Sequence, residues 1–139
     1  MIDPLETVLL YLKADPALEA LVGTRIASRH QYGDRWVPWE AAVTVRLDGG
    51  QPDIYVSVQP VRFEVRVYGP SQYEVLAVWR RLVELSRETN RRPVLTSTGS
   101  ALLYWLAPAS GPSMLYDTEI KADFLLQFYD AMVHEQEAG

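Results

Sequence analysis

Val61-Arg62-Phe63-Glu64-Val65-Arg66-Val67-Tyr68, closed by Gly69-Pro70 and followed by Ser71, decides how the rest of the chain is read. Val61, Phe63, Val65 and Val67 alternate with Arg62, Glu64 and Arg66, so every second side chain is apolar. A strand sends successive side chains to opposite faces, and this period of two predicts one buried face and one charged face. Ser71 then suits a helix N-cap, with Glu74 three residues on. Val75, Leu76, Trp79, Leu82 and Val83 continue at helical spacing to about Glu88. A strand followed at once by an amphipathic helix is the unit of a sheet covered on one side.

Working toward the N-terminus, Val43, Val45 and Leu47 alternate with Thr44 and Arg46 as a second half-buried strand, and Asp48-Gly49-Gly50 reads as a turn. Ile54, Val56 and Val58 suggest another alternating segment, ended by Pro60. Arg25-Ile26-Ala27 reads as a short strand, and residues 28–40 as a long loop. Two helices open the chain. Asp3 caps the first, Pro4 takes its first position, Glu6 completes a capping box, and Leu5, Val8, Leu9 and Leu12 form its stripe. Asp15-Pro16 repeats the device for Ala17, Leu18, Leu21 and Val22, with Gly23 as the stop. Beyond the central helix, Asn90 to Pro93 is a polar break. Ala101–Leu106 and Tyr116–Tyr129 are β-rich, separated by Pro108, Gly111 and Pro112. The order α-α-β-β-β-α-β-β predicts one α+β domain over residues 1–139. Its mainly antiparallel sheet would carry the N-terminal helices and the long central helix on one face.

Composition narrows the function classes. With 139 residues, 48% of them hydrophobic and 22% charged, the chain has the make-up of a globular domain able to bury a core. Thirteen basic against eighteen acidic side chains leave a formal charge of −5, which disfavours a general nucleic-acid binder. The absence of cysteine removes disulfides, thiolate metal clusters and cysteine nucleophiles. No apolar run approaches the roughly 20 residues of a membrane span, and the N-terminus lacks the basic region of a signal peptide. No phosphate-binding glycine loop, G-x-S-x-G elbow or H-E-x-x-H motif occurs, and His30 and His134 form no ligand pair at helical spacing. Neither a cofactor nor a metal is expected.

Two constellations remain. Asp117, Glu119, Lys121 and Asp123 would share a strand face opposite Ile120, Ala122 and Phe124. A carboxylate pair such as Asp117 and Glu119 can do acid–base work, but the pattern fits a charged sheet surface better. Tyr32, Arg35, Trp36 and Trp39 lie in the long loop, among residue types that dominate binding hot spots. They point to a docked partner, with tryptophans folded onto the core as the plainer alternative and stacked single-stranded bases as a third. Met114 and Tyr116 follow the Pro108–Pro112 connection and either meet a partner or begin the next strand.

The opening Asp3-Pro4-Leu5-Glu6-Thr7-Val8-Leu9-Leu10-Tyr11-Leu12, the run Asp15–Gly23 with Arg25-Ile26, and Phe63–Gly69 with its Ser71-led helix together resemble the tail-terminator (tail-completion) proteins of long-tailed bacteriophages. The resemblance covers most of the chain in size and element order but not the aromatic loop or the stretch Ala107–Tyr116. It implies a non-enzymatic virion protein that is assembled in the host cytoplasm. Six copies would form a ring at the head-proximal end of the tail tube, stop its polymerisation and join it to the neck. The implied partners are further copies of the chain, the tail tube protein and a neck or head-completion protein. Duplex DNA would pass through without tight binding, and no membrane is involved. Head-closure and connector neck proteins are the nearest competing identity, and a small carboxylate-dependent hydrolase a more distant one.

Six copies of a chain carrying −5 sum to about −30, so the channel should be neutral or acidic. Glu64, Asp117, Glu119 and Asp123 are the candidates for its wall or for charge contacts between subunits. For the loop, Trp36→Ala or Trp39→Ala is expected to reduce assembly while the melting temperature stays nearly constant. A large drop in melting temperature in a thermal scan would place these side chains in the core instead.

Overall fold

The computed structural model describes residues 2–28, 40–50, 58–118 and 122–135. In chain order, α1 (Pro4–Lys13) and α2 (Pro16–Val22) precede β1 (Ile26–Ala27), β2 (Ala42–Gly50) and β3 (Val58–Tyr68). The long α3 (Gln72–Glu88) leads into β4 (Arg92–Thr96), β5 (Gly99–Pro108), β6 (Ser113–Asp117) and β7 (Ala122–Glu135). The strands form one sheet in the order β1-β2-β3-β7-β5-β4, with β6 also paired to β7. Every pairing is antiparallel except that of β1 with β2. The fold is α+β with a mainly antiparallel sheet, as the alternation around β3 predicts.

Register shows why. β3 and β7 pair from Val58↔His134 to Tyr68↔Phe124, which sets Val61, Phe63, Val65 and Val67 opposite Ala131, Tyr129, Gln127 and Leu125. These residues are all buried, and the apolar ones join the core that the helices supply with Val8, Leu12, Leu18, Val22, Val75, Val78, Leu82 and Leu85. Gln127, a polar group in that layer, is satisfied: Trp79 Nε1 donates to its Oε1 at 2.9 Å, and its Nε2 donates to the Ser110 carbonyl at 2.8 Å. Tyr129 is less well served. Its hydroxyl has no partner among the described residues, its neighbours include Val8, Leu12, Leu82 and Leu106, and burial pushes its pKa up.

The helix punctuation stands, with one change. The Asp3 carboxylate accepts from the Leu5 and Glu6 amides at 2.9 and 3.3 Å. Glu6, expected to close a capping box, instead accepts from the Ser97 amide and hydroxyl at 2.6 and 2.8 Å, tying α1 to the β4–β5 turn. Asp15 caps α2 through the Leu18 amide, and Gly23 ends it at a φ of 60°, where a side chain would be strained. The buried stripe of α3 runs through Val75, Val78, Leu82 and Leu85, so Leu76 is turned outward from the stripe the sequence suggested.

Other boundaries differ for identifiable reasons. Gly49 and Gly50 end β2 with a register shift after Leu47 rather than forming a turn. Pro60 sits inside β3, opposite Met132, beyond the last described pair with β2 at Gly50↔Val61, where a missing N–H costs no ladder bond to that strand. The Asn90–Pro93 break is only partly a break. β4 begins at Arg92, and Pro93 is accommodated because β4 is an edge strand. Tyr116–Tyr129 is two antiparallel strands, not one.

Arg81 joins α3 to the start of α2. Its Nε and Nη2 donate to Asp15 Oδ2 and Oδ1 at 2.8 and 2.7 Å, and both side chains are largely buried. The Arg81 hydrogen bonds hold the Asp15 pKa below the ordinary carboxylate value, against the opposing effect of burial and with help from the Leu18 amide. A depressed folded-state pKa gives stability that is present above the unfolded pKa and lost as pH falls through the folded one. Asp15→Asn keeps a capping oxygen but loses the ion pair, and should cost about 1–3 kcal/mol at pH 7. Urea unfolding at pH 7 and pH 3 should show the gap between the two proteins narrowing in acid.

Candidate functional site

The core-facing side of the sheet is occupied by helices, and the opposite side gathers charged and aromatic side chains. Its side chains follow from register parity: Ala42, Thr44 and Arg46 on β2 lie beside Tyr68, Arg66 and Glu64 on β3, which lie beside Phe124, Leu126 and Phe128 on β7. At one end Tyr68 stacks on Phe124, with centroids 5.3 Å apart and rings 28° from parallel, and Ala42 and Leu126 complete a small apolar cluster. The Arg66 guanidinium lies over the Phe124 ring at 4.8 Å, a cation–π contact.

From there the face carries a line of hydrogen-bonded charge. Arg66 Nε donates to Glu64 Oε1 at 2.6 Å, and Arg46 Nη2 donates to Glu64 Oε2 at 3.1 Å. Burial alone would lower the Arg66 pKa, but its hydrogen bonds to Tyr68 and Glu64 outweigh that and leave it raised. Glu64 is only 6% exposed, unlike the open acid the alternation predicts. Two guanidinium groups grip its carboxylate, so as part of a channel wall it would show little bare negative charge. Arg62 Nε donates to Asp130 Oδ1 at 3.0 Å, and that bond raises the Arg62 pKa. Asp48, Arg62, Asp130 and Trp105 line an open depression of about 370 Å³ on this face. Among the described residues this line of hydrogen-bonded charge is flanked at one end by the Tyr68 and Phe124 rings.

The other sequence candidates fall as follows. Tyr32, Arg35, Trp36, Trp39 and Glu119 lie outside the described residues, as does the 54–57 segment. Asp117 and Asp123 do not share a strand face. They lie on β6 and β7 across a chain reversal, Asp117 opposite Ala122 and Asp123 opposite Tyr116, and so point to opposite sides. The two-residue spacing misled because the chain turns between 117 and 122. Met114 and Tyr116 are exposed, at 39% and 58%, on β6, which among the described residues pairs only with β7. Among the described residues no group of three or more His, Asp or Glu side chains could hold a metal ion, and no helix is long and apolar enough to cross a membrane. Sequence reasoning missed the Arg66–Phe124 and Tyr68–Phe124 contacts, which join residues more than fifty positions apart and need the β3–β7 register to be seen.

No protein-family model matches the chain, and no curated protein is similar to it by sequence. Among solved structures it is similar to a chain of the virion of a native gene transfer agent (GTA) particle, with a TM-score of 0.61 and 17% identity. That similarity covers 89% of each chain and establishes a shared fold.

The Glu64 bridge gives this face its testable property. Glu64→Ala leaves Arg66 half-buried without its carboxylate, and should destabilise the protein by about 2–4 kcal/mol in denaturant titration. Arg46→Ala, which removes the more exposed partner, should cost under about 1 kcal/mol.

Proposed function

We propose that this chain is a structural protein of a phage-like virion, without catalytic activity, and that within the virion it is the tail terminator. The observation that carries this reading is the agreement of fold with a virion chain over 89% of both molecules. Two features support it. The sheet face that carries no helix among the described residues has side chains that brace one another instead of assembling reacting groups, and β6 presents Met114, Leu115 and Tyr116 to the outside. The resemblance of the N-terminal helices and of Phe63–Gly69 with its following helix to tail-terminator proteins supports a place at the end of the tail tube.

In this reading residues 1–139 form one domain, and six copies close a ring on the last layer of the tube. Contacts in such a ring are heterologous, one patch of each copy meeting a different patch of the next. One side of the ring stops tube growth and the other receives the neck protein. Tyr32, Arg35, Trp36 and Trp39 contribute anchors to those contacts, with Met114 and Tyr116. The channel passes duplex DNA without gripping it, because acids such as Asp117 and Glu119 balance its arginines, while Asp123 serves a charge contact between subunits. The protein accordingly resides in the virion tail after assembly in the host cytoplasm.

Polymerisation of the cognate tail tube protein in the presence of this chain tests the role. Tubes should become shorter as the chain is added, with gold-labelled chain at one end only in electron micrographs. Undiminished tube length with label bound to isolated connector rings would move the assignment to a head-closure protein. Label along the tube wall would contradict both.

A further inference from the structure

Two exposed surfaces of this chain match each other in both apolar content and charge. The first is the outer stripe of α3. At 100° per residue, Tyr73, Leu76, Arg80 and Arg87 fall within an arc of about 60°, on the side away from the buried Val75–Val78–Leu82–Leu85 stripe. Tyr73 is 77% exposed and Leu76 is also open, as are both arginines. Among the described residues no carboxylate lies within salt-bridge distance of Arg80 or Arg87. The acids nearby are engaged elsewhere, since Arg81 contacts Asp15, Glu84 and Glu88 at 2.7, 3.5 and 3.3 Å. The bland role for Arg87, favouring the C-terminal end of the helix dipole, does not extend to Arg80 two turns earlier.

The second surface is one side of the β6–β7 hairpin. Cross-strand neighbours share a face, so Tyr116 and Asp123 project together, and Met114, two residues before Tyr116, projects with them. All three are exposed, and Asp123 has no ion pair among the described residues. This patch is apolar with an acid at one end, and the α3 stripe is apolar with two cations, the adjoining Glu84 being drawn to Arg81 at 3.5 Å. Within one copy neither covers the other, because the side chains of both stay open to solvent.

We infer that the Met114–Tyr116–Asp123 side of the hairpin of one copy docks on the Tyr73–Leu76–Arg80–Arg87 stripe of α3 in the next. The contact joins two different patches, so it propagates from copy to copy and closes only as a ring. It rests on the self-assembly part of the tail-terminator reading and names the residues through which neighbouring copies meet. Tyr73 and Tyr116 are the anchors, being large, stiff and polar at one end. The charges fix orientation and make the association salt-sensitive.

Charge exchange tests the contact. Sedimentation of the full chain at low salt should show concentration-dependent association that weakens with added NaCl. The pair Arg80→Glu/Arg87→Glu and the single Asp123→Arg should each weaken it by at least about tenfold, since like charges then face each other. All three changes in one chain should restore it. Because the chain has no cysteine, a mixture of the Met114→Cys and Leu76→Cys variants should form a disulfide-linked dimer on mild oxidation, whereas neither variant alone should. Folding of every variant is checked by circular dichroism. Association that ignores the single-side reversals, or folded triple variants that fail to recover, would overturn the contact. A chain monomeric at every concentration, with no mixed disulfide, would do the same. Shortened tail tubes alongside any of those results would leave the tail-end role intact, so the two claims fail separately.

Discussion

The register between β3 and β7 is the constraint on which the rest of the molecule depends. It runs unbroken from Val58↔His134 to Tyr68↔Phe124 and fixes which side of each central strand faces the helices. A slip of one residue would place Glu64 and Arg66 under α1 and α3 and expel Phe63 and Val65. Strict alternation makes that slip prohibitive, because it would bury charge and expose most of the apolar layer together. β2, β5 and β6 then add to a pair whose faces are already assigned.

Both faces of the pair are used, in different ways. The helix side is a mainly apolar core, where Gln127 is held by Trp79 and Ser110 while the Tyr129 hydroxyl has no partner among the described residues. Leaving a hydroxyl buried without a partner costs about 1–3 kcal/mol, which the apolar burial around it must offset. The other side replaces packing with the Arg46–Glu64–Arg66 line and the Arg66–Phe124–Tyr68 stack.

Features that act within a few residues were the ones legible in the sequence. The alternation of β3, the aspartate caps with Pro4 and Pro16, the Gly23 stop and the Ser71 start all emerged because their physics is local. Features set by remote partners did not. Pro60 and Pro93 suggest breaks because the sequence does not show that Pro60 lies beyond the last described pair with β2 and Pro93 on an edge strand. Glu6 read as a capping-box acid because Ser97, its true partner, is ninety-one residues away. Asp117 and Asp123 suggest one face because no glycine or proline in the sequence between them marks the change from β6 to β7. At the candidate surface, individual charges were visible but their pairing was not: Glu64 was recognised as a charged residue and is in fact a buried bridge.

The position of the chain in a particle decides whether it ends the tail tube. Electron cryomicroscopy of intact virions, with this chain traced in the density, tests that directly. The prediction is six copies in one ring between the tail tube and the neck, helix-free sheet faces in contact with protein and the channel open to DNA. Finding the chain in the capsid shell, at the distal tip of the tail, or absent from the mature particle would contradict it.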